Sequence, residues 1–201
     1  MSEFERWESR YAVPDYIFGK EPSEFLASCK AHLPVHGKAL AIADGEGRNG
    51  VWLAKQGLDV LSLEFSPVAQ AKALKLANEL GVIVTFDTAD VHAWDYPADT
   101  FDVVIDIFTQ FSAPEDRVKK WEGVRSTLKK GGLLILQGYT PKQLDFGTGG
   151  PKSLDHLYTR ELLQSHFSDF NDLKIIEEER VLREGSAHSG MSAIIGMTAT
   201  K

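Results

Sequence analysis

The sequence predicts an α/β fold of the Rossmann-like kind: a mostly parallel sheet with helices on both faces, carried by 201 residues. Three observations support this. Short apolar runs alternate with segments of helical period through most of the chain, the pattern of right-handed βαβ crossovers in a parallel sheet. The stretch Ala39 to Leu53, ALAIADGEGRNGVWL, reads as a strand feeding a helix through a glycine-bearing turn. The chain ends on two strand-like runs either side of Gly185 to Gly190, an antiparallel hairpin with a longer loop.

Taken in order, residues 1 to 21 are rich in aromatics, and Trp7 and Tyr11 share one face of a short helix. This arm has two readings: a stripe packed on the domain, or a lid over a cleft that Pro14 and Gly19 allow to open and close. Pro22 to His32 reads as a helix, with Phe25, Leu26, Cys29 and Leu33 at apolar spacing. Lys38 to Ala43 is the first strand, and Asn49 to Gln56 the helix after the turn, ended by Gly57. Leu58 to Glu64 is a strand covered on both faces. Ser66 and Pro67 then cap a long helix that closes at Gly81. Val82 to Phe86 and Phe101 to Phe108 read as strands, with Glu115 to Leu128 a helix. Lys129 to Gly132 forms a turn into the strand GGLLILQGY. Residues 138–158 hold no clean period and read as a substrate-side loop or a surface insertion. Thr159 to Phe167 is a short helix, and the charged run Glu177 to Arg180 protects an edge strand.

Composition bounds the function. The chain is 43% hydrophobic and 25% charged, which predicts a single domain over 1–201, with an arm and helix at 1–35 and a core at 36–201. A net charge of −7 disfavours nucleic acid or an anionic membrane as partner. No apolar run reaches bilayer length, and the first residues lack the basic and apolar regions of a signal peptide, so a cytoplasmic location is expected. The one cysteine, Cys29, allows no internal disulfide and no CxxC zinc site; on an apolar helix face it reads as a small buried residue.

The turn carries the chemistry. Gly45, Gly47 and Gly50 spell G-x-G-x-x-G, and Glu64 ends the next strand where an acid would hold a ribose. The helix that follows would aim free N–H groups and its positive dipole end at a ligand in the loop. The same strand, turn, helix and acid also build the S-adenosylmethionine (SAM) pocket of class I methyltransferases, which adds a polar contact after the third strand. Asp90, in TFDTADVHAW, supplies such a residue. Asp106 ends the strand beside the glycine loop and reads either as part of the site or as an ordinary polar residue at a strand end.

The segment GEGRNGVWLAKQGLDVLSLEFSPVAQAKA resembles the cofactor core of small bacterial class I SAM-dependent methyltransferases related to the tellurite-resistance and thiopurine group. The start WESRYAVPDYIFGKEPSEFL is similar to their aromatic arm, and EGSAHSG fits between their last two strands. The resemblance implies a seven-stranded sheet with an antiparallel last strand. The family pattern D-x-G-x-G-x-G falls on Ala41, Ala43, Gly45 and Gly47, so its acid and first glycine are absent, with Asp44 close by. By position, the resemblance implies cofactor contacts from Ala43, Asp44, Gly45, Glu46, Gly47, Asn49 and Asp106. It further implies Glu64 on the ribose hydroxyls, Phe65 along the adenine, and Asp90 and the backbone of Val91 at its edge.

A sulfonium makes its methyl group electrophilic, so the protein chiefly holds a nucleophile in line and excludes water. A thiol or chalcogen oxyanion needs little acid/base help, whereas nitrogen or oxygen calls for a base. His188 in the hairpin loop, Tyr11, Tyr16 and Tyr139 are the candidates; His188 also reads as an exposed loop histidine. Arg48 has two readings, orienting an anionic substrate or forming a surface ion pair. With Tyr16 and His188 it completes the substrate-side set. Three functions stay open: a small-molecule methyltransferase working as a monomer or homodimer, an NAD-type oxidoreductase, and a SAM-binding protein without turnover.

Overall fold

The computed structural model describes residues 2–201. Its sheet has seven strands in the order β3-β2-β1-β4-β5-β7-β6. The strands are β1 (Lys38–Ala41), β2 (Asp59–Glu64), β3 (Thr85–Thr88), β4 (Phe101–Ile107), β5 (Leu128–Tyr139), β6 (Asn171–Glu184) and β7 (His188–Thr200). Strands β1 to β5 pair in parallel, and β7 runs antiparallel to both β5 and β6. Among the described residues seven α-helices accompany them: α1 (Glu3–Tyr11), α2 (Glu24–Ser28), α3 (Arg48–Lys55), α4 (Pro67–Glu79), α5 (Pro114–Thr127), α6 (Gln143–Phe146) and α7 (Arg160–Phe167).

Alternation along the strands divides the core in two. Leu40, Val104 and Leu134 face Trp121 of α5 and Phe167 of α7. Ala39, Ala41, Val103, Ile105 and Ile135 face Leu26 of α2 and Leu53 of α3. Helices therefore cover both faces, as the unbroken apolar strands predict. Strand β1 lies between β2 and β4, so the chain reverses its direction of travel there and opens a crevice beyond the carboxyl ends of β1 and β4.

Four boundaries differ from the sequence reading. The helix expected over Pro22 to His32 is the short α2, capped by Ser23, followed by a single 3₁₀ turn at Lys30–His32. Pro34 disfavours helical backbone at Leu33, which is extended at φ −70° and ψ 140°. Strand β3 starts at Thr85, not Val82, and leaves Ile83 exposed; the apolar pattern misplaced it. The expected turn at Lys129 to Gly132 lies inside β5, as a break in register against Phe101 and Val103. The hairpin turn is tighter than expected, because Glu184 already pairs with His188. His188 is thus a buried strand residue, and the loop placement is corrected.

Candidate active site

The crevice holds a cavity of about 530 Å³, walled by the glycine turn, arm helix α1, the ends of β4 and β5, the 150–156 segment and the hairpin. Its floor is the turn between β1 and α3. Ala43, Gly45 and Gly47 take left-handed backbone at φ 46°, 58° and 83°. Gly45 and Gly47 also have no room for a side chain: a Cβ would lie 2.8 Å from the Tyr11 hydroxyl or 2.5 Å from Ala73 Cβ, respectively. Gly47 leaves α3 without a side-chain cap, and Asp44 fills that place by accepting from Gly50 N at 3.1 Å. A Cβ at Gly50 would collide with this carboxylate. All three fingerprint glycines therefore have a steric reason.

Two buried carboxylates line the cavity. Glu64 accepts from Gly45 N at 2.8 Å and from Ser66 N at 2.9 Å, which welds the end of β2 to the turn. Burial raises its pKa against those hydrogen bonds. Asp44 also accepts from Ser62 Oγ at 3.0 Å, and burial pushes its pKa up to about 7. Among the described residues neither carboxylate has a Lys, Arg or His partner. Phe65 stands beside them on the wall, with Phe4 of the arm at 5.7 Å, edge to face.

The opposite end is aromatic. The His188 ring lies 4.5 Å from Phe18 and 4.4 Å from Phe108, and Tyr139 lies 4.8 Å from Phe108. Burial lowers the pKa of His188, which favours the neutral ring. Glu184 Oε2 approaches its Nδ1 at 3.8 Å, too long for a hydrogen bond, and Nδ1 is buried without a partner. The Tyr139 hydroxyl is likewise buried and unpartnered. Glu184 itself is buried, yet Arg48 and the Glu24 N–H hold its pKa down at about 2. Phe108 takes φ 56°, an uncommon conformation for a bulky residue, at the point where β4 ends on the cavity.

The arm is tied down over this space. Glu8 accepts from Ser66 Oγ and, at 3.3 Å, from Val68 N, so its charge sits at the N-terminus of α4. Trp7 stacks on Tyr11 at 5.4 Å, and burial followed by the nearby Glu64 raises the Tyr11 pKa well above normal. Ala187 N donates to Ile17 O, joining arm to hairpin.

The structure gathers some predicted site residues and disperses others. Ala43, Asp44, Gly45, Arg48, Asn49, Glu64, Phe65, Tyr11, Tyr139 and His188 all line the cavity. The Asn49 side chain is engaged, accepting from Ser23 N at 2.9 Å. Arg48 is neither free nor at the surface: it is buried, 2.8 Å from Glu184, and donates to Phe18 O. Glu46 turns away from the cavity and pairs with Lys72 at 2.7 Å. Tyr16 packs outside the cavity wall and donates to Lys72 O. Asp106 is buried in a separate knot, accepting from Thr109, Lys120 and Trp121. Asp90 is exposed and bonded to His92 N, while Val91 is buried in the core. The cavity wall also takes Arg10, Phe108, Gln110, Lys152 and His156, which the sequence did not single out, and Glu184 stands behind His188. Only Glu184, four residues before His188, carried a readable signal.

Residues 39–132 match a family model described as a methyltransferase domain. A phosphatidylethanolamine N-methyltransferase from Cereibacter sphaeroides is 26% identical over 133 residues, spanning 65% of this chain and 65% of that protein. Among solved structures, one from echinomycin biosynthesis, concerning conversion of a disulfide bond into a thioacetal group, superposes with TM-score 0.79 at 14% identity, covering 100% of this chain and 92% of the other. N-methyltransferase NodS from Bradyrhizobium japonicum, in complex with S-adenosyl-L-homocysteine (SAH), gives 0.74 at 12% identity over 98% and 97%. TehB from Haemophilus influenzae gives 0.71 at 16% identity over 98% of this chain and 66% of its own. The fold is thus like that of small class I SAM-dependent methyltransferases, shared with several such structures and not with the tellurite-resistance group in particular. Among the described residues, no helix is long and apolar enough to cross a membrane.

Proposed function

We propose that this protein is a SAM-dependent methyltransferase acting on a small molecule, the activity class that the methyltransferase-domain match and the fold support. The observation that carries the reading is the pair of buried cavity carboxylates, Asp44 and Glu64, neither of which forms an ion pair among the described residues. Such charges are costly when unpaired, and a ligand bearing an ammonium and a sulfonium would compensate them. The dianionic pyrophosphate of NAD would meet repulsion at the same place, which disfavours the oxidoreductase reading despite the literal fingerprint.

The residues present fit the cofactor. The side-chain-free turn at Gly45 would admit its backbone-facing part, while Gly47 lies off the cavity against Ala73; Asp44 would meet the ammonium, Glu64 the ribose hydroxyls, and Phe65 the base. When bound, SAM supplies an electrophilic methyl group on sulfur. The chain's own part is to bind, orient and exclude water. The arm helix and the aromatic cluster of Phe18, Phe108 and Tyr139 close the far end of the cavity. With a nitrogen or oxygen acceptor, His188 takes the proton: burial keeps the ring neutral, and Glu184 faces the imidazolium that results. With a sulfur acceptor, His188 and the Tyr139 hydroxyl serve to place it.

Calorimetric titration with SAM, SAH and NAD is the test. We expect the first two to bind and NAD not to. Glu64→Ala should weaken SAM binding at least about tenfold, since a hydrogen bond to a charged group contributes about 1.5–3 kcal/mol. Unchanged affinity in that variant would overturn the assignment of the pocket, and SAM binding without SAH release across thiol and amine acceptors would favour a binding protein.

A further inference from the structure

The far end of the cavity carries a charge pattern that the cofactor reading does not use. Four cationic side chains reach the wall: Arg6, Arg10, Arg48 and Lys152. Two are spent within the protein, Arg6 on Glu3 and the buried Arg48 on Glu184. Among the described residues Arg10 and Lys152 make no hydrogen bond and no ion pair. Arg10 leaves the last turn of α1 and lies over the rings of Trp7 and Phe18, at 5.0 and 5.4 Å. Phe18 in turn contacts His188, and the Arg10 charge is felt at both His188 and Tyr139. Lys152 reaches the wall from the segment that also brings His156. The same wall holds Tyr139, 2% exposed, whose hydroxyl is buried without a partner, and His188, 8% exposed, whose Nδ1 is turned toward Glu184.

We propose that the methyl acceptor is an anion on an aromatic or apolar body, a carboxylate or a comparable oxyanion, held by Arg10 and Lys152 with its body against Phe18, Phe108 and Tyr139. Arg10 is the residue that sets this specificity. Its guanidinium is already spread over two aromatic rings, so its donors are presented in a fixed plane to a carboxylate. The Tyr139 hydroxyl has a donor to spend on the same ligand. A cationic acceptor would face two uncompensated cations and is selected against. The carboxylates Asp44 and Glu64 line the same cavity beside the glycine turn, so its wall carries charge of both signs. A cationic cofactor would take the carboxylates and leave Arg10 and Lys152 for an anionic acceptor. The inference rests on the methyltransferase reading, because it assigns the acceptor end by assuming the cofactor end.

A matched pair of probes tests it. Protein saturated with SAH is titrated with 2-naphthoate and with 2-naphthamide, which differ in charge but little in shape, following the heat of binding. The carboxylate should bind at least about tenfold more tightly than the amide, and the preference should weaken with added salt. Arg10→Met should reduce the preference severalfold, and Arg10→Met with Lys152→Met should abolish it, each with SAH affinity held within about twofold. Equal affinity of the two probes, binding of neither, or a preference that the double variant retains would overturn the proposal. Failure of the cofactor reading is separately visible, as absence of SAH binding in the unsubstituted protein.

Discussion

Ala43 occupies the position where the family pattern carries glycine, and it does so at φ 46°. A left-handed backbone costs an L-residue about 1–2 kcal/mol, part of which glycine returns through unfolded-chain entropy. Ala43→Gly should therefore stabilise the fold by up to about 1 kcal/mol, seen as a higher urea midpoint at unchanged slope; a loss of stability would mean that the alanine methyl packs usefully. On the proposed function, its neighbour Asp44 would make cofactor binding proton-linked. With its pKa raised to about 7, Asp44 contributes stability that is full below the unfolded value of about 3.9 and lost as pH rises through about 7. A cationic ligand reverses this by favouring the carboxylate. SAM affinity should rise between pH 6 and pH 8 and then level off, with proton release near neutrality measurable by titration in buffers of different ionisation enthalpy. Asp44→Asn should flatten the slope, and a slope that persists in that variant would assign the proton elsewhere.

At the scale of elements, the hairpin and the glycine-turn helix are joined by the buried pair Arg48 and Glu184, whose side chains are 6% and 3% exposed. Removing one partner of such a pair leaves the other charged and desolvated, at a cost of about 3–5 kcal/mol. Arg48→Met should lose that much in a denaturant titration, and adding Glu184→Leu should recover most of it; equal stability of the single variant and the parent would show the pair to be dispensable. Elements with local signals were legible in the sequence. The turn is set by its own glycines, and α4 by Ser66 and Pro67, which cap it as read. Strand β3 was misplaced because its residues are mostly exposed at the sheet edge, where apolar content says little about register. Glu46, Glu64 and Asp106 look alike as acids at strand or turn ends. Only the three-dimensional direction of each separates the cavity wall from the Lys72 and Lys120 pairs. The proposed acceptor site was illegible for the same reason, since Arg10, Phe18, Phe108, Tyr139, Lys152 and His188 come from separate segments and share no spacing.

For the whole molecule, the net charge of −7 hides a cavity of mixed sign. The walls of that cavity are contributed by arm, sheet and hairpin together, so a ligand bound there couples the arm to the core. The arm's own ties, Glu8 to the start of α4 and Ile17 to the hairpin, surround the site without filling it. Binding to the folded state alone stabilises by about 2.7 kcal/mol at a hundred times Kd. For a domain of this size 1 kcal/mol moves Tm by about 2–4 °C, so saturating SAH should raise Tm by about 5–10 °C. NAD at the same concentration should leave Tm unchanged, because its pyrophosphate would be brought against Asp44 and Glu64. Glu64→Ala should cut the SAH shift by at least about 3 °C, the thermal equivalent of a tenfold loss of affinity. A shift produced equally by NAD, or one that Glu64→Ala leaves intact, would mean that the two unpaired carboxylates do not define the cofactor end of the cavity.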